Sequence, residues 1–112
     1  MLFRSKRLKM LAFRILAITD SLQDKMPGRY FHNQVVRSGF SAAANYRAAC
    51  IAQSKAAFVA KLSIAFEESD ESVFWLECIQ HLSLIKPADL LPVLNEAIEV
   101  SKILAAARKN SQ

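Results

Sequence analysis

The stretch that decides the fold of this chain is residues 34–71, QVVRSGFSAAANYRAACIAQSKAAFVAKLSIAFEESDE. It contains no proline, and its one glycine, Gly39, lies inside a helical pattern. Small and polar residues recur at spacings of three and four, which places them on one face of a helix. They are Gln34, Ser38, Ser41, Asn45, Ala48 and Ala52. Because small side chains let helix axes approach closely, we predict that this face packs against a neighbouring helix.

The second half of the stretch predicts another helix, which begins after Ser54, a residue type favoured at helix N-caps. Its apolar residues share one face: Phe58, Leu62, Ala65, Leu76 and Ile79. When the chain folds back at residues 53–54, Arg37 lies opposite Asp70 and Glu71, with Glu67 one turn away. We predict that Arg37, partly buried, is ion-paired with one of these carboxylates. The alternative is a solvated run of charges, since exposed pairs contribute only about 0–1 kcal/mol.

Hydrophobic periodicity predicts two further helices. Near the N-terminus an apolar stripe alternates in steps of three and four: Leu8, Leu11, Ile15, Ile18 and Leu22. After Pro87 a second stripe follows: Leu91, Leu94, Ile98 and Ser101. We therefore predict helices over residues 5–23, 29–53, 54–84 and 87–108, with a turn at Pro27-Gly28. Such short connections make neighbouring helices antiparallel, so the prediction is an all-α, up-and-down four-helix bundle in a single domain over residues 1–112.

The composition fits this class. Hydrophobic residues make up 53% of the 112 residues, with only two glycines and three prolines. The N-terminus is basic and then apolar, as in a targeting peptide, but Arg14 interrupts the apolar run and the stripe is that of a core helix. No apolar run reaches the roughly 20 residues of a membrane span. Cys50 and Cys78 fall far apart in the predicted register, so we expect reduced thiols in a cytoplasmic protein.

Charge is distributed unevenly along the chain. Residues 1–56 contain ten Lys and Arg against two Asp, a balance of +8, whereas residues 57–112 contain five against eight acids, a balance of −3. Up-and-down topology gathers one set of cations at one end of the bundle: Arg4, Lys6, Arg7, Lys9, Arg47, Lys55, Lys61, Lys102, Arg108 and Lys109. Most acids are predicted at the opposite end, including Glu67, Glu68, Asp70 and Glu71. A concentrated basic end favours an anionic polymer; the alternative is a surface that only confers solubility.

No catalytic constellation accompanies these charges. The sequence has no glycine-rich phosphate loop and no nucleophile supported by a histidine. His81 lies one turn from Cys78, which is half a metal site at most, and the carboxylates at 67–71 lack the Glu-x-x-His pairs of di-iron bundles. We therefore expect a non-enzymatic protein without cofactor or metal. The aromatic residues at helical spacing are interpreted as core or subunit contacts rather than base-stacking platforms: Phe13, Phe40, Phe58, Phe66, Phe74 and Trp75.

Two of the predicted helices carry more apolar residues than one buried stripe requires. Beside its small face, the second helix has Phe31, Val35, Val36, Phe40 and Tyr46. Outside its apolar face, the third helix has Val59, Phe66, Val73, Phe74 and Trp75. Leftover apolar surface at this density predicts a subunit interface, so we expect a homo-oligomer.

A short motif in the second helix links the chain to a known family. The motif reads Q..RS..S...N and consists of Gln34, Arg37, Ser38, Ser41 and Asn45. In this motif the chain resembles a family of small bacterial four-helix-bundle proteins, first recognised as open reading frames in intervening sequences of large-subunit ribosomal RNA genes. Residues 58–77 are similar to a variant common in that family. The chain departs from the family pattern at residues 46–50, where YRAAC replaces a small-Glu-Gly run.

The resemblance implies a left-handed up-and-down bundle and, as in several members, a ring-shaped homopentamer. The accessory variability determinant of diversity-generating retroelements looks like a relative; it is a basic pentamer that associates with a reverse transcriptase and nucleic acid. We therefore predict an oligomeric accessory protein that binds RNA, or DNA, through its basic end, with a reverse transcriptase as protein partner. The alternative is a structural protein–protein adaptor whose charges only keep it soluble.

Overall fold

The protein is a bundle of four α-helices. The computed structural model describes residues 2–112, and its helices are α1 (Leu2–Thr19), α2 (Gly28–Cys50), α3 (Lys55–His81) and α4 (Pro87–Ser111). Contacts join α1 to α2, α2 to α3, α3 to α4 and α4 back to α1, which closes a ring of helices around one core. The bundle measures 44 × 20 × 19 Å. The predicted all-α, four-helix fold is confirmed.

The connection between α1 and α2 differs from the sequence prediction. α1 ends at Thr19 rather than continuing to residue 23, and a 3-10 helix follows over Asp20–Asp24. The chain then turns so tightly that a Cβ on Gly28 would lie 2.9 Å from the carbonyl oxygen of Leu22. A side chain at this first residue of α2 would force the backbone to move, so the turn requires glycine.

Local signals set both ends of α3. The hydroxyl of Ser54 accepts a hydrogen bond from the backbone N–H of Ala57 at 3.1 Å, which confirms the predicted N-cap. At the other end a Schellman motif closes the helix, with Ser83 in the left-handed region at a φ of 54°. α3 therefore ends at His81, before the predicted residue 84.

One stripe of residues on each helix forms the core. Most residues of the predicted stripes of α1 and α3 are buried: Leu8, Leu11, Ile15, Leu62, Ala65, Leu76 and Ile79. The other predicted members, Ile18, Leu22 and Phe58, are half-buried and pack against this core. On α4 the predicted stripe begins one residue too late, because Leu90 is 1% exposed whereas Leu91 is 39% exposed. The buried residues of α4 follow the steps of three and four that start at Leu90: Leu90, Val93, Leu94, Ala97, Val100, Ser101 and Leu104.

The small face of α2 packs against α3, as predicted. Ser38 is fully buried, and its hydroxyl oxygen lies 2.8 Å from that of Ser72 on α3. Ser72 also donates to the carbonyl oxygen of Glu68 within its own helix at 3.0 Å. The hydroxyl of Ser38 likewise lies 3.3 Å from the carbonyl oxygen of Val35 in its own helix, so either serine can be the donor in the pair. A hydrogen bond between two small buried side chains holds the two helices close together and in one register.

A buried polar pair joins α1 to α2 at the far end of α1. The hydroxyl of Thr19 donates to the carbonyl oxygen of Ile15 at 2.8 Å, and its oxygen also lies 2.8 Å from Nδ1 of His32. Because the hydroxyl has a single proton, Thr19 accepts a hydrogen bond from His32, which places a proton on Nδ1. His32 is therefore a core residue with a satisfied hydrogen bond.

Candidate nucleic-acid interface at the basic end

The topology brings four helix ends together at one end of the bundle. The start of α1, the end of α2, the start of α3 and the end of α4 meet there, and we call this region the basic end (residues 3–14, 40–61 and 102–111). No aspartate or glutamate occurs in any of these three segments. The electrostatic potential around the basic end is therefore positive.

Most of the cations predicted for the basic end are exposed. Eight of them face solvent: Arg4, Lys6, Lys9, Arg47, Lys55, Lys61, Lys102 and Lys109. Between residues 2 and 112, the only cations within ion-pairing distance of a carboxylate are Arg7 and Arg37. The eight exposed cations are therefore available to an anionic ligand.

Arg7 departs from this pattern. Its Nε and Nη2 atoms donate to the two carboxylate oxygens of Glu96 on α4, each at 2.8 Å, and the two side chains are 30% and 23% exposed. These hydrogen bonds lower the pKa of Glu96 and raise the pKa of Arg7. Arg7 therefore ties α1 to α4, and we remove it from the nucleic-acid contacts predicted from the sequence.

Arg4 also contacts the interior. Its side chain lines a groove together with Tyr46, which is 1% exposed in the core. Burial raises the pKa of Tyr46, and the neighbouring guanidinium of Arg4 opposes that rise. Since Arg4 is itself exposed, its charge still contributes to the positive potential of the basic end.

Two predicted cations of α4 lie on the side of the bundle. Lys102 lines a groove between α3 and α4 that also contains Asp70. Arg108 stacks on the ring of Phe66, with its guanidinium carbon 5.4 Å from the ring centroid. Both residues extend the positive surface from the tip of the bundle towards its middle, but Lys102 has an acid beside it.

An aromatic groove lies between α1 and α2 at the basic end. The ring centroids of Phe13 and Phe40 are 5.2 Å apart with perpendicular planes. The two rings line an open groove of about 210 Å³, which Lys9 and Arg47 flank, and we call it the Phe13 groove. Phe13 is 48% exposed, so it is not a core residue, which is one of the two roles predicted for it from the sequence.

Arg37 lies against two carboxylates of α3. Its Nη1 donates to Glu68 at 2.8 Å, and its Nη2 contacts Glu71. Of the predicted partners, Glu71 makes this contact, whereas Asp70 lines the groove towards α4 and Glu67 is exposed to solvent. The side chain of Arg37 is 50% exposed. The pair therefore lies at the surface rather than in the partly buried position that was predicted.

The opposite end of the bundle exposes a second group of rings, which we call the aromatic cluster: Tyr30, Phe31, Phe74 and Trp75. Phe74 is 54% exposed and Tyr30 is 44% exposed. The neighbouring groove of about 380 Å³ contains Glu77, and the indole N–H of Trp75 donates to Glu71 at 3.1 Å. Acidic groups therefore accompany these rings.

Two predictions about position are wrong. The carboxylates at 67–71 lie in the middle of α3, which spans Lys55–His81, rather than at the end opposite the cations. Val35 and Tyr46, counted as leftover apolar surface, are 0% and 1% exposed in the core of the monomer. The apolar surface left for a partner is therefore smaller than the sequence suggests.

The described chain offers charge and aromatic surface rather than a metal centre. Residues 2–112 contain no group of His, Cys, Asp and Glu side chains placed to hold a metal ion. Cys50 and Cys78 lie near the C-terminal ends of α2 and α3, at opposite ends of the bundle. Over the same range, no helix has an apolar stretch that could cross a bilayer.

The fold and the basic end define a small four-helix-bundle protein with an unneutralised cationic surface. The family model of the 23S rRNA-intervening sequence protein matches residues 5–106, so the chain belongs to this family. It is also similar to the crystal structure of a protein of unknown function from the S23 ribosomal protein family of Bacteroides thetaiotaomicron. The TM-score is 0.86 and the sequence identity 31%, over 95% of this chain and 98% of that one. No curated protein matches the chain.

Proposed function

We propose that this chain is a non-enzymatic accessory protein that binds RNA through its basic end. The observation that carries the proposal is the set of eight exposed cations on chain segments that contain no acid. Cations that neutralise phosphates release condensed counterions, which drives binding without sequence recognition. Membership of a family named for an intervening sequence of 23S rRNA supports RNA rather than DNA as the polymer.

The protein acts as a homo-oligomer in this proposal, and the family resemblance favours a homopentamer. In a cyclic oligomer each subunit repeats its basic end around the axis, so a net charge of +5 per chain becomes a cationic ring. The resemblance to the retroelement accessory protein supports a reverse transcriptase as partner, in the cytoplasm. Light scattering of the purified protein tests the oligomer, and a monomer at micromolar concentration contradicts the ring.

A structural protein–protein adaptor is the second candidate function. The aromatic cluster favours it, because Phe74 is 54% exposed beside a groove of about 380 Å³. Contiguous exposed apolar surface marks contacts with other proteins. In this alternative the basic end only keeps the protein soluble.

Neutralising cations at either end separates the two functions. The basic-end variant replaces three exposed cations: Lys6→Gln, Lys9→Gln and Arg47→Gln. The matched control replaces three exposed cations at the opposite end of the bundle: Lys25→Gln, Arg29→Gln and Lys86→Gln. Both variants carry the same net charge, so only the position of the loss differs.

Fluorescence anisotropy with a labelled single-stranded RNA, repeated over a salt series, measures the effect. We expect the basic-end variant to bind more weakly, with the slope of log affinity against log salt reduced by about 2, since each lost phosphate contact removes about 0.7. The control should bind like the wild type. If the basic-end variant binds as tightly as the wild type, or the wild type does not bind RNA, the adaptor is the better function.

A further inference from the structure

We propose that the Phe13 groove holds one unpaired base of a single-stranded RNA, stacked on the ring of Phe13, with Lys9 and Arg47 against the adjoining phosphates. This proposal rests on the proposed function. It adds which part of the RNA is recognised and which conformation of the strand is required.

Helical spacing places the three side chains on one surface. Lys9 precedes Phe13 by four residues on α1, so the two lie on the same side of that helix, one turn apart. Arg47 follows Phe40 by seven residues, which is about two turns along α2. Since α1 and α2 are antiparallel neighbours, Lys9 and Arg47 both reach the rim of the same groove.

The ring of Phe13 is available for stacking. Its side chain is 48% exposed, and its contact with Phe40 is T-shaped. In that arrangement the edge of one ring meets the face of the other, so Phe40 leaves at least one face of Phe13 uncovered. The neighbouring lining residues, Ala43 and Ala44, are too small to cover it.

The size of the groove suits one base. Its volume of about 210 Å³ is below the range of about 300–1,000 Å³ that is typical of pockets enclosing a small ligand. The groove is also open to solvent rather than enclosed. A planar ring lying on the surface fits such a groove better than an enclosed metabolite does.

The charges around the groove distinguish it from the aromatic cluster. Phosphates on either side of a stacked base need cations within reach, and Lys9 and Arg47 are both exposed. The rings of the aromatic cluster instead have Glu71 and Glu77 beside them. An aromatic ring flanked by cations is the arrangement by which many proteins hold single strands without sequence preference.

The stacked base must be unpaired. In a duplex, neighbouring base pairs cover the faces of each base, so a protein ring reaches a face only in loops, bulges or single strands. The groove should therefore favour a single strand over a duplex of the same length.

The test compares Phe13→Leu with the matched control Phe74→Leu in the aromatic cluster. Leucine keeps apolar bulk but has no aromatic face, and both phenylalanines are about half exposed, so both variants should fold. Each full-length protein is titrated with a labelled single-stranded RNA and with an abasic strand of the same length.

We expect Phe13→Leu to bind the RNA about tenfold more weakly, with an unchanged salt slope because the phosphate contacts remain. Its affinity for the abasic strand should not change, Phe74→Leu should bind like the wild type, and Phe13→Trp should retain full affinity.

The outcomes distinguish the stacked base at Phe13 from RNA binding through the basic end as a whole. If Phe13→Leu binds RNA as tightly as the wild type, or the wild type binds intact and abasic strands equally, the stacked base is excluded while RNA binding through the basic end stands. If the wild type binds no RNA, both proposals fail. If Phe13→Leu changes the number of subunits measured by light scattering, the groove is a contact between copies of the chain, and the base site is excluded.

Discussion

The two ends of the bundle expose the same kind of side chain in opposite surroundings. At the basic end, Phe13 lies between Lys9 and Arg47 in a groove whose lining contains no acid. At the other end, the rings of the aromatic cluster lie beside Glu71 and Glu77. A polyanion is therefore attracted more strongly to the first surface than to the second. Exposed rings alone therefore do not identify a base-stacking site; the charge around them separates it from a surface suited to a protein partner.

The largest difference in stability is expected between alanine substitutions of two tyrosines, one at each end of the bundle. Tyr46 is 1% exposed beneath the basic end, whereas Tyr30 is 44% exposed in the aromatic cluster. Tyr46→Ala removes a buried ring and should lower the free energy of unfolding by about 3–5 kcal/mol. Tyr30→Ala should cost less than about 1 kcal/mol. Urea denaturation followed by circular dichroism measures both, and equal losses would mean that the aromatic cluster is packed as tightly as the core.

The second-largest loss of stability is expected at the buried hydrogen bond between Thr19 and His32. Thr19→Val keeps the shape of the side chain but leaves Nδ1 of His32 without its acceptor, which should cost about 1–3 kcal/mol. Ser21→Ala, an exposed change two residues further on, is the control and should stay within about 0.5 kcal/mol of the wild type. Thermal unfolding of the two variants checks this. A Thr19→Val protein as stable as the Ser21→Ala protein would show that His32 finds another partner.

Glu96→Gln should change stability and RNA binding in opposite directions. It breaks the pair with Arg7, which is under one third exposed, and should cost about 1 kcal/mol of unfolding free energy. It also frees the guanidinium of Arg7 at the basic end and removes a negative charge. RNA affinity at low salt should therefore rise severalfold, with the salt slope steeper by up to about 0.7. A weaker RNA complex would show that the Arg7–Glu96 pair positions α1 for binding.

The same pair predicts a dependence of stability on pH. The hydrogen bond with Arg7 lowers the pKa of Glu96 in the folded protein, relative to about 4.3 for an unfolded glutamate. The unfolded chain therefore takes up a proton first as pH falls. The stabilisation is fully present above about pH 4.3 and is lost as the pH falls through the folded pKa. Urea denaturation from pH 7 to acidic pH should show a smaller loss in Glu96→Gln than in the wild type.

The smallest effect is expected from Arg37→Ala. Although Arg37 contacts both Glu68 and Glu71, its side chain is 50% exposed, so the loss should stay below about 1 kcal/mol. A melting temperature close to that of Arg4→Ala, and RNA affinity equal to that of the wild type, are the expected results. Weaker RNA binding by Arg37→Ala would extend the interface to the middle of the bundle and blur the difference between its two ends.

Local patterns made much of the fold predictable. The apolar stripes of α1 and α3 and the N-cap at Ser54 depend on residues close together in sequence. The approach of Arg37 to Glu71 follows from folding two adjacent helices at a known turn. Glu68 lies on the same face as Glu71, three residues earlier, and this spacing could have identified it as the second partner.

Contacts between helices that are distant in sequence could not be predicted, because they depend on how those helices rotate and pack against each other. Arg7 and Glu96 are 89 residues apart, and no spacing rule connects them. The predicted register puts Asp70 opposite Arg37. In the structure α4 packs on the other side of α3 and sets the rotation of that helix, so Asp70 lines the groove towards α4 instead. The exposure of Phe13 likewise depends on how closely α1 and α2 pack around the Phe13 groove, while the burial of Tyr46 depends on the whole core.

The central claim, that nucleic acid binds one end of the bundle and not the other, is tested most directly by mapping amide chemical shifts in the full-length protein. A short single-stranded RNA is added to the ¹⁵N-labelled wild type. The expected shifts concentrate in the three segments of the basic end, with the largest around Phe13 and Arg47, and leave the residues of the aromatic cluster unchanged. Shifts centred on Tyr30, Phe74 and Trp75, or no shifts at RNA excess in low salt, would contradict the claim.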